Sequence, residues 1–331
     1  MKDFTFNVPQ DIIFGKGSLK RLPELLEKSG SKKMLLISGP VLKKIGMVEK
    51  VEEIVKASGI EVEVFTDVEA NPSVATVDKA TEAYKKAGAT SIVAFGGGSP
   101  MDVAKAVGVL AKYGGEIGDY EGAHKVPGPI VPIIAIPTTA GTGSEVTAFS
   151  VITDEARNYK LTVFSYELIP SYALLDPELV MTSPASVAAA CGVDALIHAW
   201  EAYTSRDASP FSDAMAEKAM ELIGANLRRF VANRQDEEAA AAMLSGSMFA
   251  GIEPGCVVLL SAKFHVGAGM RNEIVSRNAL FATVEEYGIH DGMALPAAEV
   301  MPHRGAVAAG HGSNRDEAYP ASAITFLQHG A

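Results

Sequence analysis

The segment Phe95-Gly96-Gly97-Gly98-Ser99-Pro100-Met101-Asp102 constrains this chain more than any other. Residues 91–95 ahead of it form a short buried-strand pattern, and residues 103–110 behind it read as a helix. A strand, a glycine turn and a helix bring free backbone N–H groups and a positive dipole end to one point, which suits an anion. Glycines let the backbone approach a pyrophosphate closely. Pro100 fits the first helical turn, where its missing N–H costs nothing.

The sequence around this turn alternates in type. Residues 34–38, 61–65, 133–136 and 172–176 have strand patterns, and 40–57 and 74–87 helical ones. Alternating strands and helices imply a mostly parallel sheet covered on both faces. From Ser183, read as a helix cap, the texture becomes helical through 184–203 and 211–231. The expected fold is an α/β dinucleotide-binding domain over 1–180 and an all-helical domain over 181–331. Residues 304–331, rich in Gly, Ala, Ser and His, are expected to be poorly ordered.

Composition narrows the function classes. A chain of 331 residues with 48% hydrophobic and 21% charged residues can bury a sizeable core. A net charge of -11 argues against a broad nucleic-acid footprint, though not against a nucleotide ligand. Cys191 and Cys256 are the only cysteines, which argues against a disulfide framework and suits a reducing cytoplasm. The start of the chain lacks the apolar core of a signal peptide, and no apolar run is long enough for a bilayer. The expectation is a cytoplasmic protein without nucleic-acid or membrane partners.

Two further motifs carry chemistry. Pro137-Thr138-Thr139-Ala140-Gly141-Thr142-Gly143-Ser144-Glu145 follows the 133–136 strand, at the edge where open α/β sheets bind ligands. Asp194 and His198 lie four apart in Gly192-Val193-Asp194-Ala195-Leu196-Ile197-His198-Ala199, so a helix puts them on one face. By spacing alone they suit either half of a divalent-metal site or a simple surface hydrogen bond.

These motifs, with Leu175-Asp176-Pro177-Glu178-Leu179, Asn71-Pro72-Ser73 and the opening Ile13-Phe14-Gly15-Lys16-Gly17-Ser18-Leu19, occur in an order that resembles the iron-containing (group III) alcohol dehydrogenase family over about residues 5–252. The resemblance implies NAD(P)-linked oxidation of a small alcohol, or reduction of its aldehyde, by a homodimer. It places Gly97, Gly98, Ser99 and Asp102 on the cofactor pyrophosphate. Thr138, Thr139, Thr142 and Ser144 would line the cofactor, with Asn71, Lys160 and Leu179 on its side. Asp194 and His198 become the first two ligands of a catalytic Fe2+. Phe149 and Trp200 are candidates to shape a substrate pocket.

Two departures stand out. NAD-selective members of the family often carry an Asp after the first strand of this domain, where this chain has Gly39. Loss of that carboxylate removes repulsion against a 2′-phosphate, so NADP is expected to be accepted beside or ahead of NAD. After residue 252 the family's His-x-x-x-His and Pro-His-Gly patterns are missing, and the helical half reads as truncated or altered. Ungapped counting puts Lys263 and Arg277 at the ligand positions, and neither suits iron. His265 and His290 are the substitute metal ligands, with Asp291 an alternative to His290 and His303 structural. Two rival functions follow. One is a nucleotide-binding protein with an incomplete metal site and no catalysis. The other is a Zn2+-dependent, glycerol-dehydrogenase-like enzyme.

Overall fold

The computed structural model describes residues 10–205 and 208–252. In chain order its strands are β1 (Asp11–Phe14), β2 (Lys33–Ser38), β3 (Glu61–Phe65), β4 (Ser91–Gly96), β5 (Gly122–Ala123), β6 (Ile133–Pro137), β7 (Phe149–Asp154), β8 (Tyr159–Phe164) and β9 (Tyr172–Leu175). The α-helices are α1 (Leu22–Lys28), α2 (Pro40–Lys44), α3 (Met47–Lys56), α4 (Val74–Ala87), α5 (Gly98–Tyr113), α6 (Pro177–Val180), α7 (Ala185–Tyr203), α8 (Pro210–Ala232) and α9 (Glu237–Gly251).

Strands β4 and β6 are buried along their whole length, as continuous apolar runs in a parallel sheet should be. They lie inside a six-stranded sheet of order β1-β9-β6-β4-β2-β3, in which every pairing is parallel. Alternate side chains feed opposite layers. Leu35, Ile37, Ile92 and Ala94 pack with α4 and α5, whereas Leu36, Val93, Phe95 and Ile136 pack with α1 and α3. Strand order reverses between β2 and β4, because β3 lies outside β2 on the other side. Ligands of open parallel sheets bind beyond the carboxyl ends of the strands at such a point. The register pairs Ser38 with Phe95 and Gly96 with Pro137, so Gly39, Gly97 and Thr138 emerge together at this edge.

Helices α7, α8 and α9 pack around Ala195, Ala199, Ile223, Leu227, Phe230 and Met243, and residues 185–252 contain no strand among the described residues. The mostly parallel sheet followed by helices is therefore the observed fold. None of the described helices is long and apolar enough to cross a membrane.

Three local features differ from the sequence reading. The 40–57 helix is two helices, because Gly46 adopts φ 78 and breaks the ladder between α2 and α3. Ser183 does not cap α7; its Oγ donates to the Val180 carbonyl at 2.8 Å, and Pro184 holds the cap position. Strands β7 and β8 form an antiparallel hairpin, joined by β5 into a second sheet that the sequence reading lacked. The expectations for residues 253–331, including the disorder of 304–331, concern residues outside those described.

Candidate dinucleotide and metal site

The glycine turn is built by close packing. A side chain on Gly96, at φ 150, would strike Pro100 at 2.8 Å. A Cβ on Gly97 would crowd Thr139 Oγ1 at 3.2 Å, and one on Gly98 would crowd Thr142 at 3.1 Å. The glycine turn and the threonine loop thus lie directly against each other. The Thr138 amide donates to the Gly96 carbonyl at 2.9 Å, which fixes the junction of β4 and β6.

Helix α5 begins at Gly98 with no side chain capping it and no acidic residue in its first turn. Its leading amides remain available to an anion, and Gly97, Gly98 and Ser99 are half-buried rather than sealed. Those features fit a pyrophosphate. Thr138 and Ser144 are buried, Thr139 is half-buried and Thr142 exposed.

Asp102 is reached through Ser144, whose Oγ donates to its Oδ1 at 3.0 Å. Burial pushes the Asp102 carboxyl above its usual range, against the opposing pull of the Lys105 charge. Lys105, one turn further along α5, is fully buried. Its Nζ lies 2.8 Å from the Thr147 and Phe149 carbonyls, 3.0 Å from Thr147 Oγ1 and 3.3 Å from Ser144 Oγ. Burial lowers its pKa, with Asp102 and Glu145 opposing the shift. Glu145 is 2% exposed, its Oε1 has no hydrogen-bond partner among the described residues, and burial pushes its carboxyl up to about 7.

Lys105 and Glu145 were not among the sequence candidates. The signal for Lys105 was a single cation inside the otherwise apolar Val103–Leu110 face, where an unpaired charge is expensive and demands partners. Glu145 was visible only as the acid that ends the threonine loop.

Asn71 and Lys160 meet at the surface, where Lys160 Nζ donates to Asn71 Oδ1 at 2.7 Å. Asn71 holds a left-handed backbone at φ 55. Leu179 is 2% exposed and buried with Leu19, Leu22 and Leu174. Phe149 is also buried, stacked on Phe164 at 4.6 Å, while Trp200 stays 42% exposed on α7. Gly39 caps α2 with φ -98, and a Cβ there would meet only the Val68 carbonyl at 3.5 Å.

The threonine loop reaches α7 and α9 directly. A Cβ on Gly141 would lie 2.9 Å from Cys191 Cα. Burial pushes the Cys191 thiol up to about 11, with the Asp194 carboxylate adding to the shift and a hydrogen bond with Thr139 opposing it. One turn on, Asp194 Oδ1 lies 3.8 Å from His198 Nε2, and both side chains are less than a fifth exposed. A carboxylate and an imidazole on one helix face are good donors for a divalent ion. Among the described residues no group of three or more His, Cys, Asp or Glu is placed to hold a metal ion. His265, His290, Asp291 and His303 lie outside the described residues.

A parallel sheet followed by helices is the fold this chain shares with proteins of one known family, and its threonine loop packs against the helix that carries Asp194 and His198. Residues 9–177 match the iron-containing alcohol dehydrogenase family, and residues 188–261 match the C-terminal part of the Fe-containing alcohol dehydrogenase family. The chain belongs to this family. It is 40% identical over 247 residues to the NAD-dependent methanol dehydrogenase of Bacillus methanolicus, covering 75% of this chain and 65% of that protein. It superposes on 1,3-propanediol oxidoreductase with a TM-score of 0.74 and 38% identity, covering 76% of this chain and 66% of that one. Sulfoacetaldehyde reductase from Bifidobacterium kashiwanohense, solved in complex with NAD+, gives a TM-score of 0.73 at 34% identity, covering 76% and 67%. The chain thus spans about 65% of the length of the methanol dehydrogenase it matches.

Proposed function

We propose that this protein is an NAD(P)-linked alcohol dehydrogenase or aldehyde reductase acting on a small substrate. The observation that carries this reading is the contact between the glycine turn and the threonine loop, which continues through Gly141 onto the helix bearing Asp194 and His198. The amides that open α5 receive the pyrophosphate. Asp102, Thr138, Thr139, Thr142 and Ser144 line the dinucleotide, and Asn71 with Lys160 closes its rim. Hydride acceptance in alcohol oxidation, or hydride donation in aldehyde reduction, is the chemistry the nicotinamide would supply when bound. Residues 1–180 serve as the dinucleotide domain and 181–331 as the metal and substrate domain.

Asp194 and His198 are two ligands of a divalent ion, with Fe2+ favoured by the family and Zn2+ the competitor. Lewis-acid polarisation of the alcohol oxygen is the chemistry such an ion supplies when bound. Glycine in place of an acid at position 39 supports acceptance of NADP as well as NAD. The homodimer and the cytoplasmic location rest on the family resemblance and the sparse cysteines.

The sequence after residue 252 favours a second reading, nucleotide binding without catalysis, because Lys263 and Arg277 stand at the ungapped ligand positions and neither suits iron. A single experiment separates the two. Full-length protein is loaded anaerobically with ferrous iron, desalted and assayed for iron, NADH binding and alcohol oxidation. About one iron per chain with turnover, both lost in His198→Ala while NADH still binds, supports the dehydrogenase. NADH binding without retained iron or turnover supports the second reading. Failure to bind either NADH or NADPH overturns both.

A further inference from the structure

We propose that Lys105 is a positioning residue for the cofactor site, fixing the distance between the glycine turn and the threonine loop and aiming Asp102 through Ser144. This rests on the dinucleotide reading above. Lys105 is fully buried on α5 and touches no solvent through which it could act on a ligand directly. Its four oxygen partners all belong to residues 144–149, at the end of the threonine loop and the start of β7. The ammonium is therefore a crosslink between the helix that opens with the pyrophosphate turn and the segment that lines the cofactor.

The wiring gives the crosslink a direction. Ser144 Oγ accepts from Lys105 Nζ and donates to Asp102 Oδ1, so one hydroxyl joins the cation to the carboxylate. A second hydroxyl, Ser150 Oγ, donates to the Asp102 carbonyl at 2.7 Å and ties the same turn of α5 to β7. Glu145 on the loop and Lys160 on β8 are the other charged groups acting on this pair. A hydrophobic residue at position 105 would leave those four oxygens without the ammonium. What the lysine adds is an electrostatic hold on Asp102 and a set of charge-assisted bonds to carbonyls that nothing else in α5 reaches.

The test uses the full-length chain and titrates NADH by fluorescence across the near-neutral pH range. The variants are Lys105→Met, Lys105→Arg and Thr147→Val. Thr147→Val removes one acceptor at the periphery of the crosslink with little change in volume. Lys105→Met is expected to weaken NADH binding about tenfold or more, the loss of bonds to a charged group. It should also move upward the pH at which affinity changes, because Asp102 no longer faces a cation. Lys105→Arg keeps that pH in place, and Thr147→Val weakens binding by a smaller factor with the fold intact. A merely structural lysine would lower affinity equally at every pH, so an unmoved pH profile in a folded Lys105→Met overturns the proposal. If Lys105→Met does not fold, wild-type affinity in Thr147→Val overturns it. Wild-type protein that binds neither NADH nor NADPH overturns the dinucleotide reading itself, and the proposal with it.

Discussion

Gly143 and Gly251 touch backbone to backbone: a Cβ built on Gly143 would sit 2.7 Å from Gly251 Cα, and one on Gly251 would sit 2.8 Å from Gly143 Cα. This contact seats the threonine loop against the end of α9. Gly143 also has φ 61, a conformation that L side chains rarely adopt. Gly143→Ala therefore combines overpacking, about 1–3 kcal/mol, with left-handed backbone strain of about 1–2 kcal/mol. The expected outcome is a lower urea midpoint with an unchanged slope, and weakened NADH binding because the loop shifts. Wild-type stability in Gly143→Ala would mean that the loop does not rest on α9.

Lys160 and Asn71 make a different prediction, because both are exposed and neither supports the core. Lys160→Met leaves Asn71 without its partner at 2.7 Å but removes no buried contact. Thermal stability should stay within experimental error, while NADH affinity falls about three- to tenfold if the pair closes the cofactor rim. Equal affinity in the variant would remove Lys160 from the binding site.

Much of this arrangement was legible because its signals are local. Ser73 caps α4 by accepting from the Thr76 amide, and the helix ends at Gly88 with φ 66, so a start signal, a period and a stop signal coincide over 74–87. The glycine turn and threonine loop were legible for the same reason, as strand ends followed by special backbone. The break at Gly46 was hidden because Val41, Ile45 and Val48 continue an apolar helical pattern across it. The β7–β8 hairpin lacks a two-residue glycine turn and instead closes through residues 155–158 with Asn158 at φ 47. Lys105 and Glu145 acquire their meaning only when residues about 40 apart come together, which no local pattern encodes. The Asp194–His198 pair is legible as a spacing of four on one helix face.

Gly39 yields a selectivity test. Its φ of -98 suits any residue, and a Cβ there meets only one carbonyl at ordinary contact distance. Gly39→Asp should fold normally. A carboxylate at this position would hydrogen-bond an unmodified ribose and repel a 2′-phosphate. The ratio of NADPH to NADH affinity is expected to fall at least about tenfold, since like-charge placement costs over 1 kcal/mol at close range. Equal titration curves for both nucleotides in wild type and variant would place the adenosine end elsewhere.

Glu145 gives a pH test whose sign is the reverse of that for a salt-bridged acid. Burial raises its carboxyl from 4.5 to about 7. Between those values the folded chain holds a proton that the unfolded chain has released. Folding is therefore linked to proton uptake, and stability falls as pH rises through this window. Glu145→Gln cannot ionise and escapes that loss. Its stability relative to wild type should climb by about 3 kcal/mol from below pH 4.5 to above pH 7, following the 4.5-to-7 shift at 1.36 kcal/mol per unit. Lys105 contributes the opposite slope above neutrality, because burial lowers its pKa, but it is present in both proteins. Urea unfolding of the pair at several pH values reads the difference directly. A difference that stays flat from acid to neutral pH would mean that the Glu145 carboxyl is not held in its protonated form by burial.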